Sequence, residues 1–394
     1  MTFLEDAAGL ADELRSLRRA LHADPELGLE LPRTQRRVLD ALDGLGLEVT
    51  LGVSSTAVTA VLRGERPGPV VLLRGDMDAL PVAEETGLDF ASTNGAMHAC
   101  GHDLHVTGLV GAAKLLAARR DELPGSVIFM FQPGEEADGG AVRMIEEGVL
   151  DAAGERPVAA YGVHVATGRF GVVETRAGTL MAGANELYVT VNGRGGHGSQ
   201  PVTSVDPVPA LLEIGLALQT MVTRRFSVFD PVVVTVTQLS AGQAVNVIPP
   251  AARLGATVRT LSQASVETLI AETRRLADGI AAAHGCTAEV DFQIDYPVTV
   301  NDPTEAAFAL EVAADLFGED DATELPAPHM GSEDFSYVLA EVPGAFVFLG
   351  ATPPEIDERT APWNHSPLVV FDDAVLPRQA AYLAELAWRR LHRS

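Results

Sequence analysis

Cysteine is nearly absent: Cys100 and Cys286 are the only two in 394 residues. A disulfide framework is thereby excluded. Long apolar runs are also missing, since stretches such as GPVVLLRGD break well short of the roughly 20 residues a membrane-spanning helix needs. No membrane partner is expected. Positive charge is scarce as well, with 28 Lys and Arg against 54 Asp and Glu, a formal balance of −26. That excess argues against nucleic acid as a partner, because such affinity comes largely from cationic side chains meeting phosphates. The opening stretch MTFLEDAAGLADELRSL has neither the basic start nor the apolar run of a secretion signal, so a cytoplasmic location is expected. Repeats and low-complexity tracts are absent. What is present is a chain with 47% apolar and 21% charged residues. It can bury a sizeable core, and its length favours two domains over one.

The first half reads as α/β. Leu4, Leu10, Leu14, Leu17 and Leu21 recur at helical spacing, and a second periodic run lies between Thr34 and Leu45. Pro69 to Leu73, Ser126 to Phe131 and Val158 to Val165 are near-continuous apolar runs, as expected of strands buried on both faces. A helical pattern from His102 to Arg120 separates the first two, and strand, helix, strand in that order predicts a mostly parallel sheet with flanking helices. From about Ala182 to Tyr296 the strands alternate instead: Glu186 to Val191, Val232 to Gln238, Arg253 to Thr260 and Thr287 to Ile294. Helices at about Pro207 to Thr223 and Gln263 to His284 divide them. The order β-α-β-β-α-β predicts a ferredoxin-like unit. Because a strand at Ala345 to Leu349 and a helix from about Leu376 to His392 resume the α/β pattern, residues 182–296 are expected to be inserted between 1–181 and 297–394.

Polar residues gather at the carboxyl ends of the apolar strands, where open parallel sheets place ligands. VVLLR runs into Asp76-Met77-Asp78, VIFMF ends in Gln132-Pro133-Gly134-Glu135-Glu136, and His164 closes a third strand. The stretch Met97-His98-Ala99-Cys100-Gly101-His102-Asp103-Leu104-His105 adds thiol, imidazole and carboxylate at a helix start. Such a donor set suits a borderline-soft cation such as Zn²⁺; an unmetallated thiol nucleophile at Cys100 is the alternative. His102 and His105, three apart on a helix, face roughly the same way, so spacing leaves open which of them ligates. Adjacent carboxylates such as Glu135 and Glu136 can divide labour, one holding a metal and the other taking a proton. His365, in Trp363-Asn364-His365-Ser366-Pro367, is one more candidate in an irregular segment. Gly193-Arg194-Gly195-Gly196-His197-Gly198 matches G-x-G-x-x-G, so an NAD-dependent oxidoreductase is a rival reading. The preceding strand alternates, however, and the next helix opens only after Pro207. A glycine-rich turn that brings His197 close to a ligand is the better expectation.

GDMDALP, MHACGHD, FQPGEE, GVHV, GGHGS, NVIP, GSEDF and NHSP, in this order and spacing, resemble the M20 metallopeptidase family, in its branch of N-acyl-amino-acid amidohydrolases that includes hippurate hydrolases and auxin-conjugate hydrolases. The resemblance runs from His22-Ala23-Asp24-Pro25-Glu26 to the terminal helix. It implies a catalytic domain with two divalent metal ions (Zn, Mn, Co or Ni) and an inserted lid that also forms a homodimer interface. By motif, Cys100, His102, Glu136, His164 and His365 would ligate the metals, Glu135 would be the general base and Asp78 would orient the site. His197 would meet the oxyanion, in the partner subunit's active site, while Asn246 and Arg259 would recognise a substrate carboxylate. The job of Asp76 stays open, because other branches place a ligating His there, and His105 has no role. By the same resemblance, relatives carry Pro-His where this chain has Pro201-Val202, so a polar contact is expected to be missing and the acyl preference to differ. The implied reaction is hydrolysis of the amide of N-acyl amino acids or small dipeptide-like conjugates. A non-catalytic metal-binding scaffold is the remaining rival.

Overall fold

The computed structural model describes residues 2–393. Two compact units divide the chain: Met1–Leu180 with Val300–Ala327 and Asp334–Ser394, and Met181–Thr299 with Pro328–Glu333. The short second segment of the latter joins it through the bridge from Met181 to His329 and the Ala182 N–H donated to the His329 carbonyl at 2.9 Å.

The larger unit is built on an eight-stranded sheet in the order Glu48–Leu51, Val58–Arg63, Pro124–Gln132, Arg66–Asp76, Ala159–Ala166, Gly344–Gly350, Val173–Thr175, Ala322–Glu324. The four central strands, Pro124–Gln132 to Gly344–Gly350, run parallel, and they are almost wholly buried apart from the exposed start of Arg66–Asp76. The pair Glu48–Leu51 and Val58–Arg63 adds antiparallel at one side. Helices Ala11–His22, His102–Ala117 and Leu376–His392 contribute to the same apolar core. His102–Ala117 is nearly all buried. It starts after Gly101, whose φ of 88° and tight surroundings leave no room for a side chain, since a Cβ there would lie 2.3 Å from Val165 Cγ2. Glycine therefore lets the Cys100 loop close directly onto the end of the Ala159–Ala166 strand.

The second unit has the β-α-β-β-α-β order. Its strands Gly183–Asn192, Val233–Ala241, Ala251–Thr260 and Thr287–Tyr296 form an antiparallel sheet in which Gly183–Asn192 and Ala251–Thr260 are central. Alternation sends Leu187, Val189 and Val191 to the face covered by helices Pro207–Arg225 and Gln263–Ala283. Asp206 caps the first helix through the Val208 N–H and Ser262 caps the second through the Ser265 N–H. The glycine run 193–198 opens no helix. It enters a two-stranded ribbon of Gly196–His197 with Val247–Ile248, and a Cβ on Gly193 would lie 2.2 Å from the Val205 carbonyl oxygen. These glycines serve close backbone approach, and the helix N-terminus that would receive a pyrophosphate is not there.

Candidate metal and hydrolytic site

Three parallel strands of the larger unit stop at one edge, and the site is assembled just beyond them. Asp76 ends the strand Arg66–Asp76, Gln132 ends Pro124–Gln132, and His164 lies near the end of Ala159–Ala166. Asp78, two residues past its strand, is buried. Its carboxylate accepts the Glu135 N–H at 3.0 Å through Oδ1 and the Glu136 N–H at 3.1 Å through Oδ2. One acid thus fixes the turn that carries the other two. The Asp78 carbonyl also accepts from His102 Nδ1 at 2.9 Å. That bond puts the proton on Nδ1 and leaves Nε2 as a lone-pair donor.

The donor atoms converge. Cys100 Sγ lies 3.3 Å from His164 Nε2 and 3.2 Å from His365 Nε2. Glu136 Oε1 is 3.5 Å from His365 Nε2 and 3.8 Å from His102 Nε2, and Glu135 Oε2 is 4.0 Å from His102 Nε2. Three overlapping groups result, each with ligand atoms within 4.8 Å of one another: Cys100, His102 and His164; Cys100, Glu136 and His365; His102, Glu135 and Glu136. His102 Nε2 and Glu136 Oε1 are buried with no hydrogen-bond partner. Unpartnered buried polar atoms are costly, and these two face each other across a space bounded by a thiol and two further imidazoles. A cation resolves that cost. Burial pushes the Glu136 carboxyl up to about 7, with Asp78 and Asp76 adding to the effect against His102. Burial likewise raises the Cys100 thiol and lowers His164. Burial lowers His365 as well, whereas at His102 burial is outweighed by Asp76 and Cys100, which hold it well above the usual imidazole range. A thiol, a carboxyl and imidazoles in one enclosed cluster are a donor set that a divalent ion, by its own charge, converts to ligands. The residues present therefore fit the two-metal group.

A further group, Asp76, His102 and His105, is equally compact, but its atoms are committed elsewhere. Asp76 pairs with the Arg74 guanidinium and accepts from His105 Nδ1 at 2.5 Å. His105 Nε2 accepts the Val165 N–H at 2.8 Å. Both ring nitrogens of His105 are thus occupied, which separates it from His102 where spacing alone could not. Arg74 also donates to Gln132 Oε1 at 2.9 Å and Asp334 Oδ1 at 3.1 Å, and Gln132 donates to Asp334 at 2.8 Å. Sequence reasoning did not pick out Arg74, Gln132 or Asp334 as site residues. The one signal was a charged residue, Arg74, inside an otherwise apolar strand.

The remaining candidates lie in the second unit. His197 is exposed on the ribbon, beside Asn246, whose carbonyl accepts the Gly198 N–H at 2.8 Å. The Ser199 N–H is directed to His197 Nδ1 at 3.2 Å. Nδ1 is therefore the acceptor, and Nε2 carries the proton. Arg259 is on the Ala251–Thr260 strand, apart from that ribbon, with its guanidinium steadied by Thr257 Oγ1 and the Val258 carbonyl, both at 3.0 Å. Val202 stands 92% exposed in a short turn.

Comparison with known proteins agrees with this geometry. Residues 72–389 match the family described as Peptidase family M20/M25/M40. An Arabidopsis thaliana protein named IAA-amino acid hydrolase ILR1-like 5 is 38% identical over 386 residues, covering 96% of this chain and 87% of the relative. The N-acetylcysteine deacetylase of Bacillus subtilis (strain 168) is 37% identical over 380 residues, covering 95% and 96%. Among solved structures, the Bacillus subtilis YXEP protein, described as a dinuclear metal binding peptidase from the M20 family, superposes with a TM-score of 0.83 at 33% identity, covering 98% of this chain and 99% of that one.

Proposed function

The chain belongs to peptidase family M20/M25/M40 and is a metal-dependent amide hydrolase; from that premise we propose that its substrates are N-acyl amino acids or small dipeptide-like conjugates, cleaved to a carboxylate and a free amino acid. The relatives named for an IAA-amino acid and for N-acetylcysteine support this class. The observation that carries the reading is the Asp78 clamp, which sets Glu135 and Glu136 side by side against the cluster of Cys100, His102, His164 and His365.

In this reading Cys100, His102, Glu136, His164 and His365 hold the two divalent ions. When bound, such ions lower the pKa of water and polarise a scissile carbonyl. Glu135 has its carboxylate oxygen 4.0 Å from the donor nitrogen of His102. It takes the proton of the attacking water there and returns it to the departing amine. Asp78 touches no reacting atom and acts as a positioning residue. His197, with its proton on Nε2, donates to the oxyanion of the tetrahedral intermediate. Asn246 and Arg259 recognise the α-carboxylate of the amino acid half.

The same proposal includes a homodimer through the second unit, residues 182–296, serving as lid. The strand Val233–Ala241 is an edge of the sheet and mostly exposed. Leu239 on it and Leu216 on the adjoining helix are 59% and 74% exposed. An unpaired, partly apolar edge is a ready surface for a second copy of the chain. Among the described residues no helix is long and apolar enough to cross a membrane, and the two free cysteines favour the cytoplasm.

Glu135→Gln tests the central step. Metal content is expected to stay at the wild-type stoichiometry, while turnover of N-acyl amino acids falls by about 10²–10⁴-fold. Near-normal turnover would remove Glu135 as the base. A panel of acylated amino acids, assayed after chelation and readdition of zinc, manganese, cobalt or nickel, identifies the substrate and the metal.

A further inference from the structure

Both backbone polar groups of one residue at the site are held by side chains, and two of these, His105 and Asn364, are used by no step above. The Val165 N–H donates to His105 Nε2 at 2.8 Å. Its carbonyl accepts from His164 Nδ1 at 2.7 Å and from Asn364 Nδ2 at 3.1 Å. The first bond settles the state of His105. An N–H can only donate, so Nε2 accepts and Nδ1 carries the proton that goes to Asp76 Oδ1 at 2.5 Å. Arg74 in turn holds Asp76 from the other side. The carbonyl bond settles His164 in the same way: its Nδ1 is the donor, so Nε2, 3.3 Å from Cys100 Sγ, keeps its lone pair.

Asn364 extends the grip to the other ligand-bearing segments. Its Nδ2 also donates to the Cys100 carbonyl at 3.3 Å, and its Oδ1 accepts the Thr167 N–H at 3.1 Å. The next residue, His365, has φ of 71°, the sole positive value at a non-glycine among the described residues. Its N–H donates to the Ala99 carbonyl at 2.9 Å. A histidine in the left-handed region persists only where the surroundings over-determine it, and the Asn364 side chain supplies that determination from the preceding position.

We propose that His105 and Asn364 are positioning residues that hold the Val165 backbone, one by its N–H and the other by its carbonyl, setting the tautomer and direction of His164 and seating the His365 loop against Cys100. The proposal rests on the metal-site reading above, and it gives His105 and its partner Asp76 a purpose other than ligation. Outer partners of this kind act on metal affinity through the ligand they orient.

The test is metal binding, with activity secondary. Chelated protein is titrated calorimetrically with Zn²⁺, and Co²⁺ is added separately to record the thiolate charge-transfer and d–d bands. Asn364→Asp is nearly isosteric but cannot donate to either carbonyl. His105→Val loses the acceptor for the Val165 N–H, whereas His105→Gln can restore it through Oε1. Asn364→Asp and His105→Val are expected to bind at least one ion about 10–100-fold more weakly, with altered Co²⁺ spectra and with thermal midpoints of the metal-free proteins close to wild type. His105→Gln is expected to recover most of the affinity. Wild-type affinity and spectra in Asn364→Asp overturn the proposal, as does a loss of metal-free stability with affinity unchanged. Should His105→Val fail to fold, Asn364→Asp and His105→Gln decide the matter. If the wild-type chain itself takes up no ion, the metal-site reading falls and this proposal with it, a result distinct from normal uptake by wild type and variants alike.

Discussion

The buried charges around His22 in the larger unit form a paired set that makes a pH-dependent contribution. His22 and Arg18 on the same helix both meet Asp103, at 2.8 Å and 2.7 Å, and His22 Nε2 lies 3.2 Å from Glu84. Burial opposes a charged His22, but the Asp103 and Glu84 carboxylates outweigh it and raise its pKa above 6.5. A group with a raised native pKa contributes stability that is fully present below its unfolded value and is lost as pH climbs through the native one. His22→Gln is therefore expected to cost about 1–3 kcal/mol in the acidic range, with a smaller gap to wild type in the alkaline range. Urea unfolding of both proteins at about pH 6 and about pH 9 measures it. A gap that does not change with pH, or one that widens as pH rises, would contradict the assignment. The same scale shows what a sequence can and cannot disclose. Cys100, His102, Glu135, Glu136 and His164 could be gathered from sequence because each stands at a strand end or a helix start, positions that periodicity reveals. Spacing could not say which of His102 and His105 is available, a choice that only the family resemblance made, because the deciding partners, the Asp78 carbonyl and the Val165 N–H, are backbone groups distant in sequence. Nor could spacing disclose the burial of Arg74, whose partners besides Asp76 and Gln132 include Asp334, far along the chain.

At the scale of elements, the helix His102–Ala117, which opens at the site, lies very close to Leu376–His392. Gly111 is where the two approach: a Cβ there would sit 2.6 Å from Ala380 Cβ and 3.2 Å from Leu14 Cδ1. Alanine in a helix interior is intrinsically better than glycine by about 1 kcal/mol. Here the obstacle is a methyl group on a rigid helix, which cannot swing aside as the tip of a long side chain could, so overpacking at about 1–3 kcal/mol outweighs the gain. Gly111→Ala is expected to lower the unfolding midpoint in urea; a rise would show that the helices separate freely. Elements differ in legibility for a related reason. Pro124–Gln132 and Gly344–Gly350 announce themselves as unbroken apolar runs because both faces are covered. The strand Glu48–Leu51 is exposed along its whole length and has no burial pattern to imprint on its sequence. It exists by pairing with Val58–Arg63, so reading for periodicity passes over it.

For the whole molecule, the proposed dimer places His197 in the active site of the partner subunit, and this makes a demand that single-chain variants cannot imitate. Glu135 belongs to the larger unit and His197 to the second. A His197→Ala subunit keeps its own Glu135, and a Glu135→Gln subunit keeps its own His197. In a twofold dimer each would supply what the other lacks at one of the two sites. Each variant alone is expected to lose activity by about 10²-fold or more, while the two refolded or coexpressed together regain a measurable share of wild-type activity. Leu239→Arg puts a charge on the exposed Val233–Ala241 edge and is expected to yield a monomer by light scattering. Introduced into both variants, it abolishes the recovery. Dimers that form normally but show no recovery on mixing would place His197 in the site of its own chain, and a Leu239→Arg protein that stays dimeric would move the interface away from this edge.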